Sequence, residues 1–175
     1  MKKATFLAVL MALNISLFAQ DQGSFDCSDL HERLLAIKNN FDKLPESYKK
    51  QATVAFGSQK HYSTNITICN VVGDLMENKS DAKLMLFMNF RYDTANKLNY
   101  ALRNNHIAVF LEELKKVFGD WDFETESEDH GDLNYYEFRE KGYYQSKIKR
   151  EVTLIKHDYY NDDLSITLEF SRRNY

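Results

Sequence analysis

Leu30, Leu34, Ile37, Phe41 and Leu44 recur at intervals of 4, 3, 4 and 3 residues, with Glu32, Arg33, Lys38 and Asp42 between them. One apolar stripe at this period predicts an amphipathic helix of about four turns. Ser28 or Asp29 can cap its start, Asp29 with Glu32 three residues on, and Pro45 ends it by disfavouring helical geometry at Leu44. Residues 46–57 read as a short helix from the spacing of Tyr48, Ala52 and Ala55, although Thr53, Val54 and Phe56 also suit a strand.

The period then changes. His61 to Cys69 alternates, with Tyr62, Thr64, Ile66 and Ile68 on one face, and Lys83 to Tyr92 places Leu84, Leu86, Met88, Phe90 and Tyr92 together. Both are strand patterns, the second that of a largely buried strand. Asp93 or Thr94 can cap a helical region that reaches Phe118 before Gly119 stops it, with Asn104-Asn105-His106 interrupting its apolar stripe, which allows a kink or two helices. Four strands follow, at Trp121 to Glu126, Asn134 to Glu140, Ile148 to His157 and Leu164 to Ser171. The last two form the clearest hairpin, because Tyr160-Asn161-Asp162-Asp163 supplies turn chemistry between two alternating runs.

Helices leading each half and a terminal run of strands predict an α+β domain of two layers, with amphipathic helices packed on one face of an antiparallel sheet and a C-terminal four-strand meander. In outline this element order resembles the helix-on-sheet layouts of cystatin-like and nuclear-transport-factor-like domains. A shared layout assigns no function.

The N-terminus changes the picture of where the chain works. Lys2 and Lys3 precede an apolar run from Ala4 to Phe18, broken by Asn14 and Ser16 and closed by Ala19-Gln20. This is the pattern of a secretory signal peptide, with cleavage expected near Ala19/Gln20, leaving residues 21–175 as one domain. A membrane-spanning helix needs about 20 predominantly apolar residues, so no stable span is expected after cleavage. The short, Lys-Lys signal fits a bacterium, and the expected address is the periplasm or the medium. Two cysteines in an exported chain are most simply a disulfide, so Cys27 is expected to pair with Cys69. Closing a loop of that length stabilises by about 4 kcal/mol in the chain-entropy picture.

With Lys2 and Lys3 removed, 23 bases become 21 against 26 acids, a net charge of about −5 with His neutral. Nucleic acid is thereby excluded as an expected partner, since it needs a basic footprint. The charge is segregated: Asp120 to Phe138 holds eight acids and no Lys or Arg, whereas Arg139 to Lys156 holds six bases and two acids. Opposite charges on neighbouring strands account for this, contributing about 0.2 to 1 kcal/mol per pair.

Candidate chemistry is sparse. Glu128, Asp129, His130 and Asp132 offer metal-type ligands, but Gly131 falls one place early for a calcium loop, and a strand-connecting turn explains the composition. The five histidines show no zinc spacing. No nucleophile elbow, phosphate loop or dinucleotide fingerprint occurs, so neither catalytic residue nor cofactor is assigned. Tyrosine is the unusual feature, with 11 in the chain and adjacent pairs that include Tyr143-Tyr144 and Tyr159-Tyr160. Lying at expected hairpin ends, Tyr143, Tyr144, Tyr159 and Tyr160 are the candidate binding residues, because exposed tyrosine buries area at low entropic cost and still hydrogen-bonds. The expected function is non-enzymatic recognition of a protein, peptide or glycan. The rival is a small periplasmic hydrolase built on carboxylates of the acidic strand, 120–137.

Overall fold

The computed structural model describes residues 27–43, 52–94, 98–128, 133–159 and 163–174. The signal segment lies outside these residues, as do 44–51. In chain order the elements are α1 (Leu30–Asn39), a 3-10 turn (Phe41–Lys43), β1 (Ala52–Phe56), β2 (Gln59–Ile68), β3 (Val71–Asn78) and β4 (Lys83–Tyr92). The second half repeats that order as α2 (Leu98–Val117), β5 (Asp122–Glu128), β6 (Leu133–Arg139), β7 (Ile148–Tyr159) and β8 (Asp163–Asn174). The protein is a mixed α+β chain with one antiparallel sheet, ordered β1-β2-β3-β4-β8-β7-β6-β5.

Leu30, Leu34 and Ile37 form the buried stripe of α1, and Phe41 continues it from the 3-10 turn. Asp29 makes no side-chain cap. Its carboxylate instead accepts from Arg33 Nε at 2.8 Å. The helix is 10 residues long and ends at Asn39, short of the expected Leu44, where the Asn40 side chain donates to the Ala36 carbonyl at 2.8 Å and its backbone N–H closes the last turn. Asp42 then ties this end to the sheet, accepting from the Arg150 guanidinium at 2.8 to 3.1 Å. At α1's other end, the disulfide between Cys27 and Cys69 holds the Cα atoms 4.5 Å apart.

α2 runs unbroken through Asn104-Asn105-His106, because His106 is buried on the same side as Arg103, Ile107 and Phe110 and does not interrupt the face. At its end a Cβ on Gly119 would come 2.5 Å from the Lys115 carbonyl oxygen, so the stop requires glycine. Among the described residues no helix is long and apolar enough to cross a membrane.

Two segments depart from the sequence reading. Residues 52–56 are strand, not the end of a short helix, since the Gly57-Ser58 turn folds Phe56 onto Gln59 and Ala55 onto Lys60. Pairing with β2 outweighs the local spacing. The sequence pattern also gives no strand at Val71–Asn78. What creates β3 is the turn before it: Cys69 (φ 49) and Asn70 (φ 64) occupy both central positions between paired Ile68 and Val71. Two positive φ values make this a tight hairpin turn whose twist matches the strands. Gly73 leaves room for the β4 side chains beside it, because a Cβ there would meet Leu86 at 2.8 Å and Met88 at 2.9 Å.

Register carries the apolar residues across the sheet. Tyr62, Leu75, Leu86, Phe170, Val152, Phe138 and Phe123 are successive cross-strand partners, one row through seven strands. Both helices reach residues of this face. Phe110 of α2 packs on Phe90 with ring centroids 5.0 Å apart, Phe41 on Phe170 at 6.2 Å, and Phe118 on Phe138 at 6.4 Å. Burying each such ring contributes about 1.5 to 3 kcal/mol.

Candidate functional site

The other face of the same strands is polar, and its chemistry gathers at the β6–β7 connection. Asp74, Phe87, Glu169, Thr153, Glu137 and Glu124 are cross-strand partners in one row, and Met85, Ser171, Glu151, Arg139 and Asp122 in the next. Arg139 therefore stands between three carboxylates. Its Nε donates to Glu151 at 3.1 Å, NH2 donates to Glu137 and NH1 to Glu124. Burial alone would lower the Arg139 guanidinium, but Glu151, Glu137 and the nearby Tyr144 raise it, and it stays charged. Glu137 faces Glu124 directly. Burial holds the Glu137 carboxyl above its ordinary range against the pull of Arg139, with Glu151, Glu126 and Glu124 adding to the rise.

Tyr143 and Tyr144 sit on the turn that follows Arg139. The turn is set by Gly142 (φ 76), by Tyr143 N–H donating to the Glu140 carbonyl at 2.9 Å, and by Ser146 N–H donating to the Gly142 carbonyl at 2.9 Å. The two rings meet edge to face with centroids 5.3 Å apart. Arg139 lies 5.7 and 5.9 Å from their centres, and the Lys149 ammonium 5.4 and 6.0 Å. Arg139 NH1 also donates to the Tyr144 hydroxyl at 3.1 Å. Tyr144 nevertheless remains 69% exposed. Partial burial and the neighbouring Glu151 push the Tyr143 phenol up to about 12, so it stays protonated.

Tyr159 lies apart from Tyr143 and Tyr144. Tyr159 ends β7 opposite Asp163, at the far end of a 12-residue strand from the Tyr143-Tyr144 turn. At roughly 3.3 Å per residue that is about 35 Å. Tyr160 lies outside the described residues, and so do Asp129, His130 and Asp132 of the metal-type stretch. Among the described residues no group of three His, Cys, Asp or Glu is placed to hold a metal ion.

A second polar cluster, between α2 and the sheet, was not read from the sequence. Arg103 is 2% exposed; its NH1 donates to the His157 carbonyl at 3.0 Å and to the Asp158 carboxylate, and its NH2 to Asn104 at 3.1 Å. Burial would raise the Asp158 carboxyl, but the bonds and charges of Arg103 and Lys156 outweigh it and hold it below the usual range. Alongside, the Tyr92 hydroxyl lies 2.8 Å from His106 Nδ1. Burial raises the Tyr92 phenol, which keeps its proton, and burial lowers His106. The signal was available: Asn99, Arg103 and His106 continue, at helical spacing, the stripe of Phe110, Leu114 and Val117. A polar residue on an apolar stripe needs buried partners. This cluster orients α2 on the sheet.

No protein-family model, characterised protein or solved structure matches the chain.

Proposed function

We propose that this chain is an exported, non-enzymatic binding domain that recognises a protein, peptide or glycan through the polar face of its sheet, at Tyr143 and Tyr144. The observation that carries this is the exposed Tyr144 ring, held edge-on to Tyr143 and flanked by Arg139 and Lys149. An ordered aromatic pair beside arginine is the composition of a recognition surface, because little rotamer freedom is left to lose on binding. The disulfide fits the exported address. The reading takes the molecule as two layers, both helices on the Phe90, Phe138 and Phe170 face, with β5 to β8 as a C-terminal meander. That arrangement leaves the opposite face available. The test uses the mature chain as bait in an envelope or culture-supernatant extract, followed by direct binding of Tyr144→Ala to the purified protein or glycan recovered. A loss of tenfold or more supports the surface, and undiminished binding by a folded Tyr144→Ala removes it.

A second reading, a carboxylate hydrolase, draws on Glu137, whose raised carboxyl lies opposite Glu124. It requires Glu137→Gln to abolish turnover of a cell-wall or glycan substrate by the wild-type protein without loss of fold.

A further inference from the structure

Resting on the binding reading above and deepening it, we propose that β5 is a docking edge for an extended, cation-bearing segment of a protein partner, which adds to the sheet as a further strand. β5 closes the strand order, and among the described residues nothing pairs with its outer side. All seven of its residues are exposed. A strand edge offers unpaired backbone donors and acceptors, a template for an incoming chain.

The side chains state what that chain must carry. Asp122 and Glu124 lie in register with Arg139 and Glu137, so Asp122, Glu124, Glu126 and Glu128 all share the polar face, while Phe123, Thr125 and Ser127 share the other. Glu124 pairs with Arg139, and Glu128 accepts from the Tyr135 hydroxyl at 3.4 Å. Asp122 and Glu126 have no ion-pair partner among the described residues. Glu126 also adds to the crowding that lifts Glu137. Bases on an incoming strand relieve this surplus. Because strand side chains alternate, those bases must recur at every second position, and an apolar residue between them meets Phe123, which is 40% exposed under the Lys115 ammonium. The same row keeps two copies from pairing edge to edge, since acid would face acid. Rejecting its own copy and selecting a cationic strand are one electrostatic property. Arg139 joins this edge to the tyrosine pair through its bonds to Glu124 and Tyr144.

The experiment is a fluorescence-anisotropy titration of the mature chain with a labelled nonapeptide whose lysines alternate with valine and threonine. Saturable binding is expected. It should weaken at least tenfold when the same lysines are moved into one block, when alternate peptide nitrogens are methylated, and in Glu126→Lys, with Glu126→Gln giving a smaller loss. Circular dichroism shows whether each variant is folded. Equal binding of all three peptides, which is charge attraction without a strand, overturns the proposal. So does failure of the wild type to bind, including the case in which Glu126→Lys dimerises in sedimentation and the row serves only to keep copies apart. If Tyr144→Ala loses the peptide while Glu126→Lys keeps it, the edge is wrong and the tyrosine surface stands.

Discussion

The two faces of the sheet share one backbone register and differ in nearly everything that side chains decide. On one, the row from Tyr62 to Phe123 is aromatic and aliphatic throughout, and Leu86, Val152, Phe138 and Phe170 are almost inaccessible. On the other, the adjacent row sets Glu124 against Glu137 and relies on Arg139 from the next pair to reconcile them. The pair of Arg139 with Glu124, whose carboxylate is 61% exposed, contributes about 0 to 1 kcal/mol, against about 1.5 to 3 for a buried large side chain. Stability therefore resides on the apolar face. The exposed groups of the polar face, Tyr144 and Glu124 among them, contribute little to the fold and are free to serve recognition.

Breaking the apolar face should have the largest effect. Phe110→Ala removes the ring packed on Phe90 and should destabilise by about 3 to 5 kcal/mol in chemical denaturation; a loss under about 1 kcal/mol would mean that α2 is not held there. Next, replacing both Cys27 and Cys69 by serine should cost about 2 to 4 kcal/mol, read as a lower urea midpoint, with reduction of the wild type giving the same result. The helix–sheet boundary should show a pH dependence. His106 binds its proton less readily folded than unfolded, from an ordinary value of 6.5, so its contribution is intact above that pH and declines as pH falls below it. Melting temperatures between pH 7.5 and 5 should fall for the wild type and fall less for His106→Gln. Asp158, held low by Arg103 and Lys156, loses its contribution only at lower pH. The smallest effect on stability belongs to the polar face: Tyr144→Ala should change it by less than about 0.5 kcal/mol. If Tyr144→Ala instead melts far below wild type, the ring is a packing residue and the contrast between the faces fails.

Legibility in the sequence followed the same division. β4, β7 and β8 were readable because Leu86-Met88-Phe90, Val152-Leu154 and Ile166-Leu168-Phe170 alternate without interruption, and burial on one face leaves that mark. β3 was not, since Gly73, Asp74 and Asn78 are poor strand formers and the evidence lay in the turns on either side. One is Cys69-Asn70; in the other, Asn78 accepts from the Ser80 N–H at 3.1 Å and donates to Asp81 at 2.8 Å. Of the candidate site, the tyrosine pairs stood out by composition. That Tyr143 and Tyr144 adjoin Arg139 and Lys149, whereas Tyr159 lies a strand's length away, depended on where the turns fell.

By itself the sequence determined the periods of α1, α2 and the buried strands β4, β7 and β8, the segregation of acids from bases and the pairing of the two cysteines, because periodicity, charge order and a two-cysteine count are local or exhaustive properties of a chain. Tertiary structure decided that β4 meets β8, that β5 ends the sheet, and that Glu124, Glu137 and Glu151 converge on Arg139. Strand order and register bring together residues far apart in sequence, and a shift of one residue would send each of them to the opposite face.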